Sequence, residues 1–194
     1  MQRDDLLVWM DLETTGLSPH SAILEATVII TNNELDPVAS PLTLVVHHSP
    51  ETLKEMNEWC LNQHTHSGLI QDVQDSQISL EETQRQLLAL VQIYCVERSA
   101  PLCGSSIHVD RTWLAAQMPE LERYVHYRNI DVSSIRELVS RWLPERDRYD
   151  EEGDIAHRSL ADIQYSLREL RYYRSQFFNP FWTNPSSIGF KKKA

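Results

Sequence analysis

The chain has 194 residues, of which 41% are hydrophobic and 24% charged, and its formal net charge is −10 at pH 7. This composition is ordinary for one globular domain, and 5 glycines and 9 prolines exclude a fibrous or low-complexity chain. The acidic charge argues against binding long duplex nucleic acid, whose phosphates need many Lys or Arg contacts, whereas short nucleic acids are compatible with it.

Three strands are predicted at the start of the chain. They cover residues 6–10, 23–31 and 42–47, and turn-rich segments separate them. The β-branched content of the third segment, LTLVVH, supports a strand there. Three consecutive strands predict an antiparallel meander.

Helices are predicted next, over residues 51–61 and 68–74 and in a longer segment that begins after Ser79. Glu82 lies three residues after Ser79, which is the spacing of a capping box. The apolar residues of the longer helix recur at helical spacing and predict its core face: Leu80, Leu87, Leu90, Val91 and Tyr94.

Strands and helices alternate in the second half of the chain. Strands are predicted at 101–105 and 129–132, a short helix at 111–117, a further helix capped by Ser133, and a charged loop at 144–154. The final helix spans 159–177. Its predicted core face consists of Leu160, Ile163, Leu167 and Leu170.

These elements predict an α/β fold in which helices flank a mixed five-stranded sheet. Residues 1–178 are expected to form the domain. Residues 179–194 contain two prolines without clear periodicity and are expected to be a C-terminal extension.

The amino-terminal segment and the cysteines favour a soluble cytoplasmic protein. MQRDDLLVWM has acidic residues where a signal peptide needs basic ones, and no apolar run approaches the ~20 residues that span a bilayer. Cys60, Cys95 and Cys103 are widely spaced without a CxxC pair, so neither a disulfide framework nor a zinc site is expected.

Four acidic residues form the candidate site. Asp11 and Glu13 lie two residues apart in a strand, so their side chains share one face, where like charges require a cation or a bound proton. Asp110 follows a predicted strand and is expected at the carboxyl edge of the sheet. Asp162 interrupts an apolar stretch of the last helix, which is costly unless it is paired or binds metal.

An oxygen-rich site of this kind suits two divalent cations, Mg²⁺ or Mn²⁺, and the hydrolysis of a phosphodiester. His157 is the candidate base, since its ordinary pKa is near 6.5. Inside one helix, His157 and Asp162 would point about 140° apart; in the preceding loop, His157 could reach the same cleft. Taken singly, each acid is more often a surface charge or a partner for Arg, and only the joint pattern favours a site.

The motif DxETTGL at Asp11, the middle Asp110 and HxxxxD at His157 together resemble the DEDDh exonucleases, an RNase H-like family. Longer segments, among them EWCLNQHTHSGL and HRSLADIQYSLRELRYYR, are similar to the oligoribonuclease branch, and the resemblance covers about residues 5–178. It implies a 3′-to-5′ exoribonuclease acting on dinucleotides, including pGpG, and on very short RNA oligomers. It also implies that Asp11, Glu13, Asp110 and Asp162 hold two metal ions and that His157 is the general base.

The same resemblance implies substrate-binding residues. Leu17 would lie between the two bases of a dinucleotide, Trp59 and His64 would line the pocket, and three serines would bind the 5′ phosphate: Ser106, Ser133 and Ser134. It further implies a homodimer in which Tyr127 and Arg128 complete the partner's site. Each also has an ordinary structural explanation: turn packing for Leu17, a core aromatic for Trp59, a helix cap for Ser133, and surface residues for the Tyr-Arg pair.

Four residues depart from the usual oligoribonuclease pattern. Thr14 stands where the family has Met, and Ser105, His108 and Val109 differ in the segment before Asp110. They leave open the preference for RNA over DNA and the strictness for dinucleotides. The alternatives are therefore a DnaQ-like single-strand DNA exonuclease and, disfavoured because all five site residues are present, a binding module without catalysis.

Overall fold

A five-stranded sheet lies at the centre of the computed structural model, which describes residues 1–145, 148–149 and 157–178. In chain order its strands are β1 (Leu7–Thr14), β2 (Ile23–Thr31), β3 (Leu42–Val45), β4 (Pro101–Gly104) and β5 (His126–Asp131). They lie in the order β3-β2-β1-β4-β5. The first three form an antiparallel meander, while β4 pairs parallel with both β1 and β5. The predicted mixed sheet is confirmed.

Eight helices flank this sheet in the described part of the chain. They are α1 (Pro50–Leu53), α2 (Glu58–His66), α3 (Leu69–Asp75), α4 (Leu80–Tyr94), α5 (Ile107–Gln117), α6 (Pro119–Tyr124), α7 (Val132–Trp142) and α8 (Ser159–Phe177). None of the described helices is long and apolar enough to cross a membrane. The proposed extension, residues 179–194, lies outside the described residues.

The strand predicted at 129–132 begins three residues earlier, at His126, and α6 was not predicted. Three other predicted boundaries were wrong for local reasons. The helix predicted at 51–61 is two helices, because the Asn57 side chain accepts a hydrogen bond from Cys60 N and so caps a new helix. The helix predicted at 111–117 begins four residues earlier, at Ile107. Strand β1 continues past the predicted end at residue 10, because its pairing with β2 extends through Glu13 and Glu25.

The predicted apolar faces of α4 and α8 lie in the core. Leu87 and Val91 of α4 are buried, as are Ile163 and Leu167 of α8. The other predicted positions are partly buried against the same clusters. Each such side chain contributes about 1.5 to 3 kcal/mol by burial. Ser79 caps α4, but the Glu82 carboxylate binds other side chains, so only half of the predicted capping box forms.

Alternation along β1 aims the two acids. Val8 and Met10 pack in the core with α4 and α5, whereas Trp9 packs in a second core with α8. Because side chains at i and i+2 share a face of a strand, Asp11 and Glu13 continue the Trp9 face toward α8. The sheet thus directs both carboxylates at the start of the last helix.

Candidate active site

Three carboxylates converge between β1 and α8. Oxygen atoms of Asp11, Glu13 and Asp162 all lie within 4.8 Å of one another, and each residue is partly buried. Asp162 reaches the strand because it lies in the first turn of α8. A cluster of oxygen donors this tight fits a hard divalent cation such as Mg²⁺ or Mn²⁺.

Asp110 lines the same cavity as Asp11 and Glu13. It belongs to the first turn of α5, because Ser106 takes a left-handed conformation (φ 53°) that ends β4 and starts the helix at once. Its Oδ1 accepts a hydrogen bond from Leu12 N at 3.1 Å. Asp110 and the three clustered acids therefore face one cleft from two helices and one strand.

Burial and mutual repulsion raise the pKa values of these acids. Burial raises the pKa of Glu13 to about 8, of Asp110 to about 7 and of Asp162 to about 6, and repulsion from neighbouring carboxylates adds to the rise for Glu13. The pKa of Asp11 is raised well above its ordinary value for the same reasons, burial first. Cations bound between such groups would restore the ionised form.

His157 lies outside the helix that carries Asp162. The residue has φ 45°, and α8 begins two residues later. His157 therefore lies in the segment before the helix, which is the alternative in which it could reach the same cleft as Asp162. Its ring stacks edge-on against Trp59 of α2, with 6.0 Å between centroids. A positive charge on His157 lowers the pKa of Asp162, which shows that the two groups are close enough to interact.

A cavity of about 250 Å³ opens beside the acids. Leu17 and Trp59 line its rim and are 86% and 61% exposed, so neither is packed in the core. His64 lines it too but is buried, with Nε2 bonded to the Thr14 carbonyl at 2.9 Å and Nδ1 3.9 Å from Glu13 Oε2. Val109, one of the residues that differ from the usual oligoribonuclease pattern, also lines the cavity.

The three predicted serines meet around Asp131, a residue that sequence reasoning missed. The carboxylate accepts hydrogen bonds from Ser106 N at 2.7 Å, Ser133 Oγ at 2.7 Å and Ser134 Oγ at 2.5 Å. Ser133 is not the cap of α7: it lies within the first turn, and Asp131 occupies the cap position. An Asp at a strand end followed by two serines is the sequence signal that could have revealed this cluster.

Tyr127 and Arg128 are not brought to this cavity within the described chain. Both are exposed on β5, with the Arg128 guanidinium 5.5 Å from the centre of the Tyr127 ring. Arg111, next to Asp110, donates to the backbone carbonyls of His126 and Tyr127 at 2.5 Å each. The start of β5 is thereby tied to the helix that carries an acid of the site.

A mixed sheet with acids on its central strand and in the first turns of two flanking helices defines a nuclease of the RNase H-like class. The model of the RNase_T exonuclease family matches residues 8–170. The oligoribonuclease of Pseudomonas syringae pv. tomato is 46% identical to this chain, over 93% of this chain and all of that protein. The oligoribonuclease of Corynebacterium diphtheriae is 44% identical, over 89% of this chain and 83% of that protein. The chain belongs to the oligoribonuclease family of the DEDDh exonucleases.

Solved structures share the fold. A metal-free complex of Escherichia coli exonuclease I with single-stranded DNA matches with a TM-score of 0.68 at 12% identity, over 89% of this chain. Exonuclease I from Methylocaldum szegediense matches with a TM-score of 0.63 at 19% identity. This chain spans about two fifths of those two chains, 40% and 41%. The likeness confirms the predicted RNase H-like fold.

Proposed function

We propose that this enzyme hydrolyses dinucleotides, including pGpG, and very short oligoribonucleotides from the 3′ end to mononucleotides, as the last step of RNA decay. The observation that carries the proposal is the cluster of Asp11, Glu13 and Asp162 beside a small cavity bounded by Leu17 and Trp59. The family membership supports the same reaction. A small cavity suits a substrate with few phosphates, which is compatible with a net charge of −10.

Divalent cations would be held by the three clustered carboxylates and by Asp110. Their donor set contains only oxygen, and the protons held by the buried acids are those that a cation replaces. A pair of bound Mg²⁺ or Mn²⁺ ions supplies a nucleophile at neutral pH and stabilises the leaving oxygen. The protein's part is to hold these carboxylates close together and partly shielded from water.

His157 would take the proton from the attacking water. His157 lies just before α8, and its ring makes an edge-to-face contact with Trp59 of α2, which lines the cavity. An imidazole is a suitable general base, because it can accept a proton near physiological pH.

Substrate recognition would use both ends of the dinucleotide. The exposed Leu17 would insert between the two bases, with Trp59 against a base and His64 shaping the wall behind Glu13. Ser106, Ser133 and Ser134 would bind the 5′ phosphate. The Asp131 carboxylate accepts hydrogen bonds from the Ser133 and Ser134 hydroxyls and from the Ser106 amide, so it holds these three residues next to one another.

A homodimer would complete each site, with Tyr127 of one protomer against a base and Arg128 on a phosphate of the other. The exposure of Tyr127 (67%) supports this, because a large aromatic side chain that is exposed to this extent is accessible to a ligand or a partner. A cytoplasmic location is supported by the three cysteines, which are all buried and unpaired.

One assay tests the reaction and its alternatives. Labelled pGpG, its deoxy analogue and single-stranded RNA and DNA of about 20 nucleotides are incubated with Mn²⁺ or with EDTA, with Asp110→Ala as the inactive control. We expect fast, EDTA-sensitive hydrolysis of pGpG. Faster cleavage of the long DNA than of pGpG would favour the DnaQ-like alternative, and no metal-dependent turnover of any substrate would leave only a binding module.

A further inference from the structure

A fifth carboxylate, Glu25, is buried beside the acid cluster. It lies on β2 directly opposite Glu13 of β1 and has no exposed surface. Its Oε2 accepts hydrogen bonds from Arg158 Nε at 3.0 Å and Nη2 at 2.5 Å, and its Oε1 accepts from Ser159 N at 2.9 Å and Oγ at 2.7 Å. All four bonds come from two consecutive residues at the start of α8.

Glu25 thereby caps α8 from a neighbouring strand. Arg158 is the N-cap residue of this helix but makes no side-chain capping bond of its own. The Glu25 carboxylate instead binds the first free amide of the helix, that of Ser159, at the end where the helix dipole favours negative charge. The first turn of α8 is therefore fixed to β2, the neighbour of the strand β1 that carries Asp11 and Glu13.

Arg158 extends this connection to the other wall of the cavity. Its Nη1 binds the Ser67 carbonyl at 3.3 Å and Asp72 Oδ2 at 2.9 Å. Ser67 ends α2, the helix that carries Trp59 and His64, and Asp72 lies in the first turn of α3. One guanidinium thus joins β2, the start of α8 and the junction between α2 and α3.

We propose that Glu25 and Arg158 are positioning residues that hold His157 and Asp162 in their reactive arrangement. His157 directly precedes Arg158 and has a left-handed backbone conformation, which a residue other than Gly keeps only when its neighbours hold it. Asp162 lies one turn after Arg158, and its amide donates to the Arg158 carbonyl at 3.1 Å. A change in the backbone conformation of Arg158 would therefore displace the side chains of both His157 and Asp162.

The inference rests on the proposed catalytic roles of His157 and Asp162, and the variants separate the two. Glu25→Gln keeps an acceptor for Ser159 N but removes the ion pair, and Arg158→Lys keeps the charge but cannot bind Glu25 and Ser67 together. Arg158→Gln removes both the charge and the fork. The reference variants His157→Asn and Asp162→Asn test the proposed function itself.

The readouts are kcat and KM for pGpG with Mn²⁺, the melting temperature, and Mn²⁺ binding to the protein by calorimetry. We expect kcat to fall about 10- to 100-fold in E25Q and R158K, because misplacement by about 1 Å is enough for such a loss. We expect KM to stay within about 3-fold, Mn²⁺ binding to weaken because Asp162 moves, and R158K to retain more activity than R158Q.

Glu169→Gln is the matched control for the loss of a buried ion pair. Glu169 is 1% exposed and binds the half-exposed Arg136, but it lies two helical turns beyond Asp162 on α8. We expect E169Q to lower the melting temperature without lowering the kcat of the folded protein. Loss of kcat in E169Q equal to that in E25Q would show that mere destabilisation explains the effect, and would overturn the proposal.

The remaining outcomes are also decisive. If H157N and D162N are inactive while folded E25Q and R158K keep kcat within about 2-fold of the unmodified enzyme, the positioning role is wrong. If H157N and D162N keep full activity, the catalytic roles proposed for His157 and Asp162 are wrong, and the positioning role falls with them. Should R158Q fail to fold, Asp72→Asn replaces it, because Asp72 is partly exposed and its substitution removes only the ion pair between Arg158 and Asp72. Unchanged kcat and unchanged Mn²⁺ binding in both D72N and E25Q would overturn the proposal.

Discussion

The Leu12 amide donates a hydrogen bond to Asp110 Oδ1 at 3.1 Å, which joins the first turn of α5 to the backbone of β1 between its two acids. Asp110 therefore has two tasks that substitution can separate: a hydrogen bond to the strand and a negative charge in the cleft. Its burial makes both strong, because few waters compete with either interaction.

Asp110→Asn should abolish turnover while leaving the fold intact. The amide oxygen of Asn can still accept from Leu12 N, but the charge that would bind a cation is lost. We expect kcat for pGpG to fall at least about 100-fold, with a melting temperature at or above that of the unmodified protein, because a buried carboxyl has been replaced by a neutral group. Activity above one tenth of the original would contradict a metal-binding role for Asp110.

The metal-free protein should lose stability as the pH rises from about 4 to about 8. Glu13, Asp110 and Asp162 have pKa values raised to about 8, 7 and 6 in the folded protein, so the folded state binds more protons than the unfolded state in this range. The free energy of unfolding therefore falls with pH there. Thermal melts in EDTA at several pH values measure this, with a shift of about 2 to 4 °C for each kcal/mol.

Mn²⁺ should reverse that trend. Cations favour the ionised carboxyls, so the rise in melting temperature on adding Mn²⁺ should be larger at pH 8 than at pH 6. Glu13→Gln, which removes a carboxyl group whose pKa is raised to about 8, should flatten the pH dependence in EDTA. Equal slopes for this variant and the unmodified protein would show that other groups control the stability.

Much of the fold and the placement of the four acids could be predicted from the sequence because they depend on local pattern. Alternation in β1 aims Asp11 and Glu13, and the apolar period of α8 gives both its bounds and its core face. Asp131 was missed although its serine partners Ser133 and Ser134 are local in sequence, whereas Glu25 was missed because its partners are distant in sequence. Glu25 binds Arg158 and Ser159, which are separated from it by 133 and 134 positions in the sequence. Only the assembled sheet and helix bring these residues into contact.

Leu17→Ala should weaken dinucleotide binding without affecting the fold. Leu17 is 86% exposed, so its truncation should change the free energy of unfolding by less than about 0.5 kcal/mol. If the substrate buries this side chain, the loss is about 1.5 to 3 kcal/mol, or about 10- to 100-fold in KM for pGpG. Ile93→Ala on α4, an exposed apolar residue outside the cavity lining, is the control that should leave KM unchanged. Equal KM values for both variants would rule out insertion between the bases.

Thr14 should act by shaping the turn that carries Leu17. Its hydroxyl donates to the Gly16 carbonyl at 2.7 Å, and its own carbonyl accepts from His64 Nε2. Thr14→Val keeps the shape but loses the hydroxyl, and we expect KM for pGpG to rise about 3- to 10-fold, the equivalent of one lost hydrogen bond. Thr14→Ser keeps the hydroxyl and should behave as the unmodified enzyme. Identical kinetics for the Val and Ser variants would leave this hydrogen bond without a role in binding.

Two inactive variants should restore activity when they are mixed, if Arg128 acts in the partner's site. His157→Asn damages a protomer's own site, and Arg128→Ala damages the site of its partner. In a mixed dimer, one site then carries both defects and the other carries neither. Random exchange of equal amounts should restore about a quarter of the original sites. The measurement is pGpG turnover after the variants are unfolded and refolded together, with each variant treated alone as control. Failure to regain activity, although sedimentation shows dimers, would place Arg128 in its own protomer's site or outside catalysis.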